Sequence, residues 1–156
     1  MSFPPTVVLR HRKENLKKCS LTGLEQRDDF RFFTYPQESP HSLDGYIVLK
    51  VDAPPLAESD AERGLFVLDA TWRYAHRMYK NIALPDDVVY RSLPSHFLTA
   101  YPRRQDDCLE PGKGLASVEA IFLAYFLLGR NPQGLLDNYY WREPFLEKNQ
   151  HYLGVT

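Results

Sequence analysis

Short apolar runs, most of them closed by a charge or a turn, alternate along this chain with stretches of helical period. Thr6 to Arg10 reads as a first strand, and the polar stretch from Lys17 to Arg27 as a short helix or turn. Phe30 to Tyr35 is aromatic-rich and strand-like. Ser39-Pro40 and Asp44-Gly45 are turn signals. Tyr46 to Val51 predicts a strand ended by Pro54-Pro55, and Leu56 to Gly64 a surface helix. Leu65 to Leu68 predicts a short buried strand, Thr71 to Asn81 a helix, and Val88 to Arg91 another strand. Leu93-Pro94 opens a loop that carries Pro102 and Pro111-Gly112. Leu115–Leu128 and Pro132–Tyr140 or beyond predict two closing helices. Strands alternating with helices predict an α/β fold, a single mostly parallel sheet flanked by helices.

Composition narrows the classes. The 156 residues predict one domain, large enough to bury roughly two thirds of its unfolded surface. The apolar run from Leu115 to Gly129 is too short for a bilayer and is interrupted by Ser117 and Glu119. It predicts a helix buried on nearly all sides and no membrane partner. No basic start precedes an apolar segment, so no secretory signal is expected. Cys19 and Cys108 form neither a disulfide framework nor a zinc pattern. A reducing, cytoplasmic setting is therefore expected. The five histidines, among them His76, show no ligand spacing, so no metal is expected.

The formal net charge of −1 argues against a nucleic-acid partner, since such proteins are usually basic. The distribution of charge softens that objection. Arg10, Arg12, Lys13, Lys17 and Lys18 crowd one segment against a single acid, Glu14. Arg73, Arg77 and Lys80 form a second cluster, and Arg103-Arg104 a third. A basic stripe on a neutral protein can still bind phosphates, although each cluster alone also suits a solvated face.

The most informative segment is Leu65-Phe66-Val67-Leu68-Asp69-Ala70-Thr71-Trp72 with the helix after it. In that helix Trp72, Ala75, His76 and Tyr79 share one face. Asp69 and Trp72 thus stand just past the carboxyl end of a strand, the edge where open α/β sheets bind ligands. An indole beside a carboxylate suits a cationic, partly apolar ligand such as S-adenosylmethionine. The plainer alternative is helix capping by Asp69 or Thr71 with Trp72 as core.

Asp69-Ala70-Thr71-Trp72 resembles the D-x-T-W signature of the DTW-domain family, whose members transfer an aminocarboxypropyl group to RNA uridines. Three further segments resemble its relative that acts on small-subunit ribosomal RNA. They are Lys17-Lys18-Cys19-Ser20, then Leu115-Ala116-Ser117-Val118-Glu119-Ala120, and Trp141 with Phe145-Leu146-Glu147-Lys148-Asn149. The four fall in the family's order and span nearly the whole chain. The resemblance implies a SPOUT-like fold with a C-terminal trefoil knot. It divides the chain into an N-terminal segment of about 1–45 and a knotted cofactor-binding part of about 46–156. It implies S-adenosylmethionine as cofactor, Asp69 as the catalytic base, and Trp72 with Ala75 around the methyl group. Ser20 would meet the aminocarboxypropyl end. Leu93, Pro94, Leu115, Ala116, Ser117 and Ala120 would hold adenosine.

The expected function is transfer of a 3-amino-3-carboxypropyl group to a uridine or modified uridine of rRNA or tRNA by a monomer, with release of methylthioadenosine. Arg10, Arg12, Lys13, Lys17, Lys18, Arg73, Arg103 and Arg104 are the expected RNA contacts. Two alternatives stay open: a SPOUT-type RNA methyltransferase, and a non-catalytic RNA-binding or ribosome-assembly module. Ser20 could equally cap the following turn. Glu119, an acid in a helix's first turn, favours a structural role. The stretch Thr99-Ala100-Tyr101-Pro102-Arg103-Arg104 departs from the ribosomal branch's pattern, and the Cys-rich start of many DTW proteins is missing.

Overall fold

Among the described residues, five short strands, each sending alternate side chains to opposite faces, build one all-parallel sheet in the order β2-β1-β4-β3-β5. The strands are β1 (Thr6–His11), β2 (Phe30–Tyr35), β3 (Ile47–Leu49), β4 (Leu65–Asp69) and β5 (Val89–Arg91). The helices are α1 (Trp72–Asn81), α2 (Ser117–Leu127) and α3 (Arg142–Leu153). The computed structural model describes residues 3–12, 21–40, 42–50, 52–70, 72–101 and 115–154, without the side chains of Trp72, Arg73, Ala75 and His76.

The two-residue period of a strand separates two cores. From β1 and β4, Val8, Leu65 and Val67 enter a core with Val118, Ile121 and Tyr125 of α2 and Phe145 of α3. Val7, Leu9 and Phe66 enter a second core with Met78 of α1. The sheet is therefore a middle layer with α1 on one face and α2 and α3 on the other. Burial on both faces explains why β1 is buried along its whole length. As the apolar run from Leu115 suggested, α2 is buried on most sides, with Phe126 37% exposed. No helix among the described residues is long and apolar enough to cross a membrane.

Connectivity fixes where the sheet opens. From β1 the chain returns outward to β2, whereas from β4 it runs through α1 and past β3 to β5. Adjacent central strands whose connections depart in opposite directions open a crevice at their carboxyl ends. Arg10 of β1 and Asp69 of β4 are register partners at that point.

Two expected helices are corrected. Residues 56–64 form only a single 3-10 turn, Glu58–Asp60. Asp60 is 3% exposed and accepts from Arg91 Nε (3.0 Å) and the Ala57 amide (3.2 Å). Folding that acid inward against β5 takes precedence over a surface helix. Residues 133–138 are turns, with Gly134 at φ 88, and the helix begins at Arg142. Pro144 is tolerated because it stands in the first turn of α3, where its missing N–H has no intrahelical partner to lose. Gly154, at φ 71, ends α3.

Tyr125 spans the layers at the amino edge. Its hydroxyl donates to Asp29 Oδ2 (3.1 Å), so Thr6 Oγ1 is the donor in the 2.8 Å contact between the two hydroxyls. Burial pushes the phenol from 10.0 up to about 12. Phenolate formation is then costlier in the folded chain, and the associated stability, intact below pH 10, is lost as pH rises from 10 to 12. Two units correspond to about 2–3 kcal/mol. Tyr125→Phe is expected to flatten that alkaline fall in urea-unfolding free energy; an equally steep fall in the variant assigns it to other groups.

Candidate functional site

The carboxyl edge of the sheet carries an acid held from two sides. Asp69 closes β4 on the same face as Leu65 and Val67, so it points toward α2. It is 5% exposed. Arg10 Nε donates to its Oδ2 at 3.1 Å, and Ser117 Oγ, on the first residue of α2, donates to its Oδ1 at 3.1 Å. A negative charge at a helix N-terminus is also favoured by the macrodipole. Arg10 reaches further, with Nη1 3.2 Å from Glu25 Oε2 and its guanidinium carbon 4.8 Å from the centre of the Phe32 ring. Burial works against ionisation of Glu25, yet its carboxyl stays below the ordinary value. Backbone amides of residues 25 and 23, then Arg10, outweigh the desolvation.

On the opposite face at the same end, His11 stacks on Tyr74 of α1, ring centres 4.1 Å apart and 10° from parallel.

Next to this edge, beyond β3 and β5, lies a cavity of about 520 Å³. Leu49, Leu93, Pro94, Phe97, Leu115 and Ala120 supply its apolar wall, and Lys50, Asp52, Ser92 and Ser95 its polar part. Its size lies within the roughly 300–1,000 Å³ of small-molecule sites. An apolar wall together with one carboxylate, one ammonium and two hydroxyls suits a small molecule that has both an apolar and a polar part. Asp69 is not among the described residues that line it; Ser117, its partner, stands in the chain between the lining residues Leu115 and Ala120.

The loop that closes the cavity is tied down by two buried side chains. Glu119, 0% exposed, accepts from the Thr99 hydroxyl (2.6 Å), the Ala100 amide (2.9 Å), the Ala116 amide (2.8 Å) and the Tyr139 hydroxyl (2.9 Å). Asn149, also 0% exposed, accepts from the Leu98 amide (2.8 Å) and donates to the Leu98 carbonyl (2.8 Å). It pairs with Leu98 as a neighbouring strand would.

The structure thus brings Leu93, Pro94, Leu115 and Ala120 together around one cavity. Ala116 lies in the core, and Ser117 serves Asp69. Trp72 opens α1 three residues after Asp69; its side chain and that of Ala75 lie outside the described set. Ser20, Lys13, Lys17, Lys18, Arg103 and Arg104 also lie outside it, as does the side chain of Arg73. Arg12 is exposed. Arg10 is 8% exposed with its guanidinium on Asp69 and Glu25, the acid on the adjacent strand being a near counter-charge at the switch point. Lys50, Asp52, Ser92 and Ser95 line the same cavity and were not among the expected site residues. The one available signal was the polar run that succeeds each strand's carboxyl end. Among the described residues, no group of three or more side chains is arranged to hold a metal.

No family model and no curated protein matches the chain. Among solved structures, the SAM-dependent rRNA:acp-transferase Tsr3 from Vulcanisaeta distributa is similar to it, with a TM-score of 0.71. The match covers 96% of this chain and 81% of that one at 23% identity. The likeness is one of fold. It extends over nearly the whole of this chain, so the shared fold takes in its parallel sheet and helices rather than a small fragment.

Glu119 yields a test of this scaffold. Glu119→Gln replaces one acceptor oxygen by an NH₂ that faces existing donors, and about 2–4 kcal/mol of stability should be lost in urea unfolding. The exposed Glu143→Gln should stay within about 0.5 kcal/mol. Equal effects would show that the four hydrogen bonds carry no net stability.

Proposed function

We propose that this protein is a single-domain, SPOUT-like RNA aminocarboxypropyltransferase that uses S-adenosylmethionine and carries the C-terminal trefoil knot of that fold. The observation that carries the reading is the cavity at the carboxyl edge. Four residues that the resemblance assigns to adenosine, Leu93, Pro94, Leu115 and Ala120, line it together, although they are scattered over residues 93–120. The likeness to Tsr3 supports the same reading, as that protein is SAM-dependent and acts on rRNA.

The residues present fit such a cofactor. Leu49, Leu93, Pro94 and Leu115 offer an apolar slot to the adenine, while Asp52 and the serines offer acceptors to ribose hydroxyls. When bound, the sulfonium supplies an electrophilic carbon on its three-carbon arm, with methylthioadenosine as leaving group. Asp69 contributes a fixed negative charge at the switch point and attracts the cationic end. Burial strengthens that attraction by excluding water. Trp72 and Ala75, at the start of α1, are assigned to the methyl group, and Ser20 to the carboxylate end of the arm. Orientation selects which carbon is attacked, because near-attack geometry contributes a large share of the barrier lowering. Asp69 also stands close enough to the reacting arm in this reading to orient or accept the imide proton of a uracil-type ring. The RNA is held by Arg12, Lys13, Lys17, Lys18, Arg73, Arg103 and Arg104, in the cytoplasm, by a monomer.

The deciding experiment incubates the purified chain with labelled S-adenosylmethionine and total cellular RNA. Aminocarboxypropyl-uridine in the digest with methylthioadenosine in the supernatant is the expected result. S-adenosylhomocysteine in its place would make the protein a methyltransferase, and neither product would leave an RNA-binding module. Asp69→Asn should lower the rate about 100-fold or more, as loss of a preorganised charge at a reacting centre does. For RNA affinity, replacing Lys17 and Lys18 by alanine should reduce the slope of log K against log salt by about 1.5. An unchanged slope removes both lysines from the interface.

A further inference from the structure

The chain buries an arginine at the point where it also places its key acid. A guanidinium cannot shed its charge there, so fixed acceptors must surround it. Arg10 uses two different N–H groups on two different carboxylates, Nε on Asp69 Oδ2 (3.1 Å) and Nη1 on Glu25 Oε2 (3.2 Å). A pair built for strength alone would grip one carboxylate with two parallel bonds, as Arg27 grips Asp29 at 2.9 Å and 2.9 Å. The divided grip sets direction instead. Phe32 covers the guanidinium face at 4.8 Å, and Glu25 is itself held by the Gly23 amide at 2.8 Å.

We propose that Arg10 is a positioning residue of the transfer site. From the neighbouring strand it holds Oδ2 of Asp69 while Ser117 holds Oδ1, and so fixes the plane of the carboxylate that meets the cofactor's cationic end. Glu25 fixes Arg10 in turn. This rests on the functional reading above, and it takes Arg10 from RNA binding to cofactor handling. The location supports it. Arg10 and Asp69 are register partners on the two central strands whose connections diverge, where a parallel sheet opens to ligands. Ser117 joins the same pair to the first turn of the helix whose Ala120 lines the cavity. Four segments remote in sequence, around Gly23–Glu25, Arg10, Asp69 and Ser117, are thereby locked to one carboxylate.

The test uses the full chain as wild type, Arg10→Gln, Asp69→Asn and the double variant. Cofactor affinity is read by calorimetry, and the ratio of methylthioadenosine to S-adenosylhomocysteine by mass spectrometry. Arg10→Gln should weaken cofactor binding about tenfold or more, the usual loss for a hydrogen bond between charged groups. It should also raise the S-adenosylhomocysteine fraction and leave the salt slope of RNA binding unchanged. In the Asp69→Asn background the same substitution should add less than about twofold, since residues acting through one another are not additive. Additive losses, unchanged affinity in a folded Arg10→Gln protein, or a lowered salt slope would each overturn the proposal. Should Arg10→Gln fail to fold, Glu25→Gln at the 41% exposed acid serves instead. It should weaken cofactor binding about two- to threefold; no loss overturns the proposal. A wild-type chain that binds no S-adenosylmethionine overturns the functional reading, and this inference with it. Wild-type transfer without Arg10–Asp69 coupling overturns the inference alone.

Discussion

A single buried carboxyl, Glu119, holds the candidate site together. It gathers four donors from three places, the 99–100 loop, the start of α2 and Tyr139. Unpaired backbone amides and a buried acid are each costly, and here they satisfy one another. Because Thr99 and Ala100 are bound to the first turn of α2, the loop from Ser92 lies against that helix and closes the wall of the cavity. Asn149 repeats the device from α3, completing both hydrogen bonds of Leu98. Loop backbone that would otherwise need water is thus fixed by side chains of the closing helices.

The start of α2 then serves two purposes within one turn. Glu119 turns toward the loop and the closing segment, while Ser117 turns toward Asp69 and the sheet. Cavity and charged pair consequently share one mechanical support, although Asp69 does not line the cavity. A displacement of the α2 N-terminus would disturb the cavity and the acid together. In the proposed transfer, that coupling would align the two ends of one ligand.

Much of the fold was legible along the chain. β2 has the boundaries its aromatic run predicts, and β1, β4 and α1 differ by a residue or so. Glu119, whose place in a first turn favoured a structural role, is fully buried and accepts four hydrogen bonds. Two helices were misread for local reasons. Asp60 is drawn inward by Arg91 from β5, a partner too remote in sequence for periodicity to show. Past Pro132, Gly134 in a left-handed conformation breaks the turn, and the helix starts only at Arg142, with Pro144 in its first turn. The site was legible in part. Apolar runs ending in charges marked Arg10 and Asp69, but their pairing was not legible, because charge clustering along the chain ignores strand register.

From residue order alone came the alternation of strands and helices, the acid after the fourth strand, and the scattered motifs that define a candidate cofactor slot. These arise from local physics: period, turn chemistry and side-chain type. Which charge faces which was settled only by the folded chain. Sheet order puts β4 between β3, which precedes it in the chain, and β1, which is remote from it, and the adjacency to β1 makes Arg10 the buried partner of Asp69. The same is true of Glu119 and of the polar rim at Lys50 and Asp52. Each depends on long-range contacts, whose geometry exists only once the whole sheet has closed.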